Sequence, residues 1–187
     1  DHRALLGDAE FALNSDAGGG QLDSQNRGVA YVVQTAEKTY ASFTFTARNP
    51  GGHSSQPRAE NAIYELGDAL TRLRTFQFPV MWNDTTIESF RNAANIFPGP
   101  ESAALRRFAE RPGDRVAART LANNVSLSSM MRTTCVATML SGGHAENALP
   151  QTASATVNCR IFPGVAVDDV LSELRGIAGS NIEVAQL

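Results

Sequence analysis

Long apolar runs are missing from this sequence. Nothing in its 187 residues approaches the ~20 consecutive apolar positions that a membrane-crossing helix needs, so no membrane partner is expected. Excess positive charge is missing too. Sixteen Lys and Arg against nineteen Asp and Glu leave a net charge of −3, which gives no support for a nucleic-acid surface. Cysteine is sparse: Cys135 and Cys159 stand in separate strand-like segments and make no metal-type pair. Buried free thiols are expected here rather than a disulfide, and they leave the compartment open. Asp1-His2-Arg3 opens the chain without a charged-then-apolar pattern, so no targeting segment is visible and a soluble cytoplasmic or periplasmic protein is expected. There is no internal repeat and no low-complexity tract. The remaining balance, 42% hydrophobic and 19% charged, is that of an ordinary globular protein with one good core, or one domain and a fragment of another.

Punctuation and periodicity divide the chain. Asn14 to Gly20 breaks a mixed pattern with three consecutive glycines, and polar residues continue to Arg27, which reads as a flexible connection. Val29 to Thr35 is a short apolar strand. Lys38 to Ala47 alternates, with Phe43 and Phe45 on one face and Ser42, Thr44 and Thr46 on the other. Ala62, Ile63, Leu66, Leu70 and Leu73 then recur at helical spacing. From Asp84, a candidate helix cap, to Asn124 three amphipathic pieces form a helical insertion. Alternation returns at Thr133 to Leu140, with Cys135, Ala137 and Met139 on one face, and again from Thr152 to Phe162. A helix opened by Asp168 or Asp169 carries Val170, Leu171, Leu174 and Ile177, and Asn181 to Leu187 reads as a last strand. The order is strand, helix, strand, strand, helix, strand. It predicts an α+β, ferredoxin-like βαββαβ antiparallel sheet with two helices on one face, interrupted by the insertion at about 84–124. That fold alone assigns no function.

Polar residues mark a few positions along this frame. Asn49-Pro50-Gly51-Gly52-His53-Ser54-Ser55-Gln56-Pro57 is a stiff loop that presents one imidazole between a strand and a helix. Asn147 lies in a second loop, begun by Gly142-Gly143 and ended by Pro150. Arg160 closes the next strand, and Asp16 sits in the leader. An arginine fork matches a carboxylate in two hydrogen bonds, and an asparagine amide can hold a carbonyl or carboxylate beside it. Singly, each of these also suits an ordinary turn or strand-end residue.

Together, Gly51-Gly52-His53-Ser54-Ser55, Asn147-Ala148-Leu149-Pro150 and Asn158-Cys159-Arg160 ahead of Pro163 resemble the dimerisation, or lid, domain of a zinc peptidase family. It is family M20, the aminoacylases, glutamate carboxypeptidases, acetylornithine deacetylases and succinyl-diaminopimelate desuccinylases. The resemblance covers roughly Val29 to Leu187. The leader from Ala9 to Asp16 resembles the end of that family's catalytic domain, so residues 1–27 are expected to be its remnant and linker, and 28–187 the lid. What the resemblance implies is a two-zinc hydrolase of peptide or N-acyl amino acid amide bonds. In it His53 stabilises the oxyanion at a partner subunit's site, Arg160 and Asn147 bind the substrate, and Asp16 is a metal ligand. It also implies a homodimer formed through the lid. The sequence departs from the whole enzyme: it has no His-x-Asp motif and no Glu-Glu pair in a plausible position, and His2 and His144 have no partner at ligand spacing. Catalytic zinc needs about three protein ligands. No zinc is therefore expected in this chain alone, and it is expected to be inactive without the missing catalytic domain. The competing reading is a stand-alone ferredoxin-like regulatory module that binds a small anionic metabolite through Arg160 and Asn147. A serine hydrolase built on Ser54 or Ser55 is disfavoured, since no Gly-x-Ser-x-Gly elbow exists.

Overall fold

The computed structural model describes residue 7, residues 19–97 and residues 99–187, and places them in two compact units, Asp1–Ala36 and Glu37–Leu187. In the first unit, β1 (Gly19–Leu22) and β2 (Gly28–Val32) pair antiparallel. Asp23 closes their turn, its carboxylate accepting from the backbone N–H of Gln25 (2.8 Å) and of Arg27 (3.0 Å). The polar stretch that reads as a flexible connection is thus, over its described part, a hairpin whose register shifts between Gln21 and Leu22, and position 27 falls in its turn.

In the second unit the strongest alternation makes the centre of the sheet. β3 (Thr39–Arg48) and β7 (Thr152–Ile161) run antiparallel in unbroken register, from Thr39 opposite Ile161 to Arg48 opposite Thr152. Ala41, Phe43, Phe45 and Ala47 of β3, with Ala153, Ala155, Val157, Cys159 and Ile161 of β7, form one buried face. β8 (Ile182–Gln186) flanks β3 and β5 (Thr134–Gly142) flanks β7, so the order is β5-β7-β3-β8, all antiparallel. Two helices cover the apolar face. α1 (Ala62–Thr75) buries Ala62, Leu66, Ala69 and Leu73, while α6 (Val167–Ala178) buries Val170, Leu174, Ile177 and Ala178. Burying each fully enclosed large apolar side chain, such as Phe43, contributes roughly 1.5–3 kcal/mol. This is the ferredoxin-like arrangement expected from the alternation.

The insertion contains α2 (Asp84–Ala93), α3 (Pro100–Glu110), α4 (Arg115–Leu121) and α5 (Val125–Met130), packed around a second core of Phe90, Leu105, Phe108, Leu121 and Met131. It runs past Asn124 because Asn124 caps a fourth helix, accepting from the N–H groups of Ser126 and Leu127. At the start, Asn83 rather than Asp84 is the cap: its side chain accepts from Thr86 N–H, and Asp84 occupies the first turn.

Two further expectations are corrected. Cys135 and Cys159 are not free thiols; they are joined as a disulfide. They stand directly opposite each other on neighbouring strands, with Cα atoms 4.1 Å apart. The alternation of β5 also breaks at a bulge between Ala137 and Met139. Beyond it Met139 faces outward beside Thr156 and Leu140 takes the inward register, so Met139 does not share the face of Cys135 and Ala137.

Candidate functional site

The His53 and Asn147 loops are zipped together. Beyond the last β3–β7 pair, Asn49 N–H donates to Gln151 O at 3.0 Å and the Gln151 amide donates to Pro50 O at 3.3 Å. Then β4 (Gly52–His53) pairs with β6 (Ala148–Leu149), His53 opposite Ala148, and Ser54 N–H donates to Asn147 O at 2.9 Å. Gly51 makes this approach possible. Its φ is +74°, and a Cβ there would lie 2.7 Å from Gln151 Cγ and 3.0 Å from the Leu149 carbonyl oxygen.

The ladder exposes the His53 ring and orients it. Nδ1 lies 2.8 Å from Ser55 Oγ and 3.2 Å from Ser55 N. A backbone N–H can only donate, so Nδ1 accepts and the neutral ring carries its proton on Nε2. The outer nitrogen is thereby a fixed, solvent-facing donor. Asn147, whose backbone carbonyl pairs with Ser54 N–H, has an exposed side chain with no hydrogen bond among the described residues.

Arg160 is elsewhere. It sits on the outward face of β7 near that strand's C-terminal end, opposite Tyr40 on β3 and Thr134 on β5. Its Cζ lies 4.8 Å from the centroid of the Tyr40 ring, a cation–π geometry. Lys38 is close by, its Nζ donating to Ser129 O (2.9 Å) and Thr134 Oγ1 (3.2 Å). Burial, and then the positive charge of Arg160, push the Lys38 ammonium down to about 8. Arg160 stands eight residues beyond Thr152, the β7 residue nearest the ladder, so at about 3.3 Å per residue the backbone of β7 puts Thr152 and Arg160 roughly 26 Å apart. The fold therefore brings His53 and Asn147 together and leaves Arg160 at the far end of the sheet.

Asp16 lies outside the described residues. Among those described, no three His, Cys, Asp or Glu side chains stand close enough to hold a metal ion, and no helix is long and apolar enough to cross a membrane. Lys38 and Tyr40 were missed on the sequence as companions of Arg160. The signal available was period two, which puts Tyr40 on the face of Ser42 and Thr44, but only the strand register sets it beside Arg160.

Residues 35–184 match the family described as "Peptidase dimerisation domain". The chain is 30% identical over 186 residues to an N-fatty-acyl-amino acid synthase/hydrolase of Xenopus tropicalis, covering 95% of this chain and 35% of that protein. It is 28% identical over 161 residues to a probable carboxypeptidase S-like protein of Dictyostelium discoideum, covering 83% of this chain and 30% of that one. Among solved structures, an M20 family metallo-carboxypeptidase from Sulfolobus solfataricus aligns with a TM-score of 0.48 at 15% identity, over 90% of this chain and 46% of that one. The chain spans about a third of the length of the curated relatives it matches.

Proposed function

Because the chain belongs to the M20 peptidase family as its dimerisation domain, we propose that it pairs two subunits of a longer hydrolase and lends each active site side chains from both. The substrate class is a peptide or N-acyl amino acid with a free carboxylate, cleaved at its amide bond. The carrying observation is the separation of Arg160 from the His53–Asn147 ladder. In such a substrate the carboxylate and the scissile carbonyl are at most about 7 Å apart. Groups set beyond opposite ends of a strand span of roughly 26 Å on one chain do not hold both. The second unit begins at Glu37, near Arg160 in the strand order, and β8 runs from Ile182 opposite Ala47 to Gln186 opposite Phe43, toward the Arg160 end of β3. In this reading Arg160 serves a site on its own subunit, and His53 and Asn147 serve the site of another subunit.

In this reading the Arg160 fork takes the substrate carboxylate. His53 Nε2–H donates to the carbonyl oxygen as negative charge builds on it, and the Asn147 amide holds the same group. The zinc that M20 chemistry implies would polarise that carbonyl and activate a water when bound. Its donor set is not among the described residues, so no step of it is assigned to this chain. The pairing surface is the open side of β5, an edge strand that exposes Val136, Met139 and Leu140 and so presents unpaired backbone to a second copy.

Complementation tests the reading. In the full-length parent, His53→Ala should lower kcat by two to three orders of magnitude, roughly the loss of one oxyanion donor. A variant lacking the catalytic domain's general base should be nearly inactive as well. Mixing the two under subunit exchange should restore up to about a quarter of wild-type activity, since half of randomly re-paired dimers are mixed and each holds one intact site of two. Verified exchange with no activity returned would show that His53 does not act across subunits.

A further inference from the structure

Arg132, between α5 and β5, is 8% exposed. Its Nη1 donates to Gln77 Oε1 at 3.1 Å and to Phe78 O at 3.4 Å, both neutral acceptors, and its Nε is buried without any partner. Among the described residues no ion pair joins it to a carboxylate. Asp169 and Glu173 line a neighbouring cavity but make no such pair. A guanidinium cannot shed its proton, so this charge stays desolvated and uncompensated.

The side chain lines a cleft of about 220 Å³ at the start of β5. Arg74, Ser128 and Thr134 share its wall, and the ionisable groups on that wall are both arginines. Lys38 hydrogen-bonds to Thr134, and Arg160 stands opposite Thr134 in the sheet. Arg74 and Arg132 thus line the cleft with Thr134, Lys38 and Arg160 adjoin Thr134 from the sheet, and the cleft wall has hydroxyl groups but no carboxylate among the described residues. A cleft of this size is below the ~300 Å³ of sites that take drug-sized ligands.

We propose that this cleft is a binding site for a compact oxyanion, a carboxylate or phosphate group, with the buried Arg132 guanidinium as its principal ligand. The inference does not depend on the roles given to His53, Asn147 and Arg160. The anion is either free in solution or a carboxylate belonging to the longer parent protein. The chemistry is the same in both cases, and the test separates them.

The chain, dialysed into low-salt buffer, is titrated with inorganic phosphate and with acetate, against sodium chloride at matched ionic strength. The expected result is a saturable rise in thermal midpoint with phosphate or acetate that chloride does not reproduce, together with a downfield shift of the Arg132 Nε–H resonance in the wild-type chain. Arg132→Gln should weaken the anion at least about tenfold, as expected for loss of charge-assisted hydrogen bonds. Without anion it should be as stable as wild type or more so, because an uncompensated charge has gone. A residue that merely tied the Gln77–Phe78 segment in place would lose stability instead. The same titration on the full-length parent identifies the source. Binding by both proteins assigns a free ligand, and binding by the chain alone assigns a carboxylate of the parent. If phosphate and acetate act no differently from chloride and leave the Nε–H resonance unmoved, the site does not exist. If the effect survives Arg132→Gln, Arg132 is not its ligand. Where Arg132→Gln fails to fold, the wild-type resonance alone decides.

Discussion

Replacing Gly51 by alanine should damage the ladder that holds His53, by an amount that separates into two parts. The first part is conformational. An L-residue at φ +74° is strained by about 1–2 kcal/mol. The second is steric, since the new methyl would meet Gln151 Cγ at 2.7 Å and the Leu149 carbonyl oxygen at 3.0 Å. The glutamine can swing aside; the carbonyl belongs to the β4–β6 pairing and cannot move without loosening it. Overpacking of this kind costs roughly a further 1–3 kcal/mol. Gly143 provides the control, with φ +80° and nothing within 4 Å of where an alanine methyl would sit. Gly143→Ala should show the strain alone. Urea unfolding followed by circular dichroism should therefore rank wild type above Gly143→Ala above Gly51→Ala, the last two about 1–3 kcal/mol apart. In the full-length parent, Gly51→Ala should also lower activity at temperatures where the protein remains folded. Equal losses for the two alanine variants would refute the close-approach argument, and a Gly51→Ala protein within about 0.5 kcal/mol of wild type would refute the strain argument too.

Two further predictions concern groups that the function does not use directly. Reducing the Cys135–Cys159 disulfide, whose partners are 24 residues apart, should destabilise the chain by roughly 3 kcal/mol on loop-entropy grounds, read as a drop in thermal midpoint with reductant that a Cys135→Ser/Cys159→Ser protein no longer shows. An unchanged midpoint in the wild type would mean the strand pairing alone holds that edge. Lys38 titrates lower in the folded chain than its ordinary value of 10.5, at about 8, so above pH 8 the unfolded chain binds the extra proton and stability rises with pH up to about 10.5. Lys38→Met should remove that rise and leave the acid limb of the profile unchanged; identical profiles above pH 8 would show that the lysine is not desolvated.

The frame of the sheet was legible because β3 and β7 bury every second residue without interruption, and nothing but alternation is needed to read that. Where local geometry departs from the repeat, reading failed for identifiable reasons. The extra residue in β5 at Thr138 reverses the faces of Met139 and Leu140, and no residue type in that run announces it. Six-residue α5 is too short for a 3.6-residue period to emerge. Cys135 and Cys159 were each visible on a strand, but their pairing depends on a register fixed across a connection that itself contains β6, rather than by a tight turn. The same limit applies to the site. The two glycine-bearing loops stood out singly, and their pairing at Ser54 and Asn147 did not. Nor did the length of β7 that parts them from Arg160. Arg132 carried no signal at all, since a charged residue between Met131 and Thr133 reads as surface until the insertion is folded over it.

That parting distance has a mechanical meaning. β7 is a central strand, hydrogen-bonded along both sides, and an extended chain so clamped can be neither stretched nor shortened. It is a rigid bar with Arg160 near one end and the His53–Asn147 ladder beyond the other. On the proposed reading, substrate and partner subunit conform to that length, and deleting two residues from β7 alone would keep its alternation of faces but throw β3 and β5 out of register with it by about 7 Å.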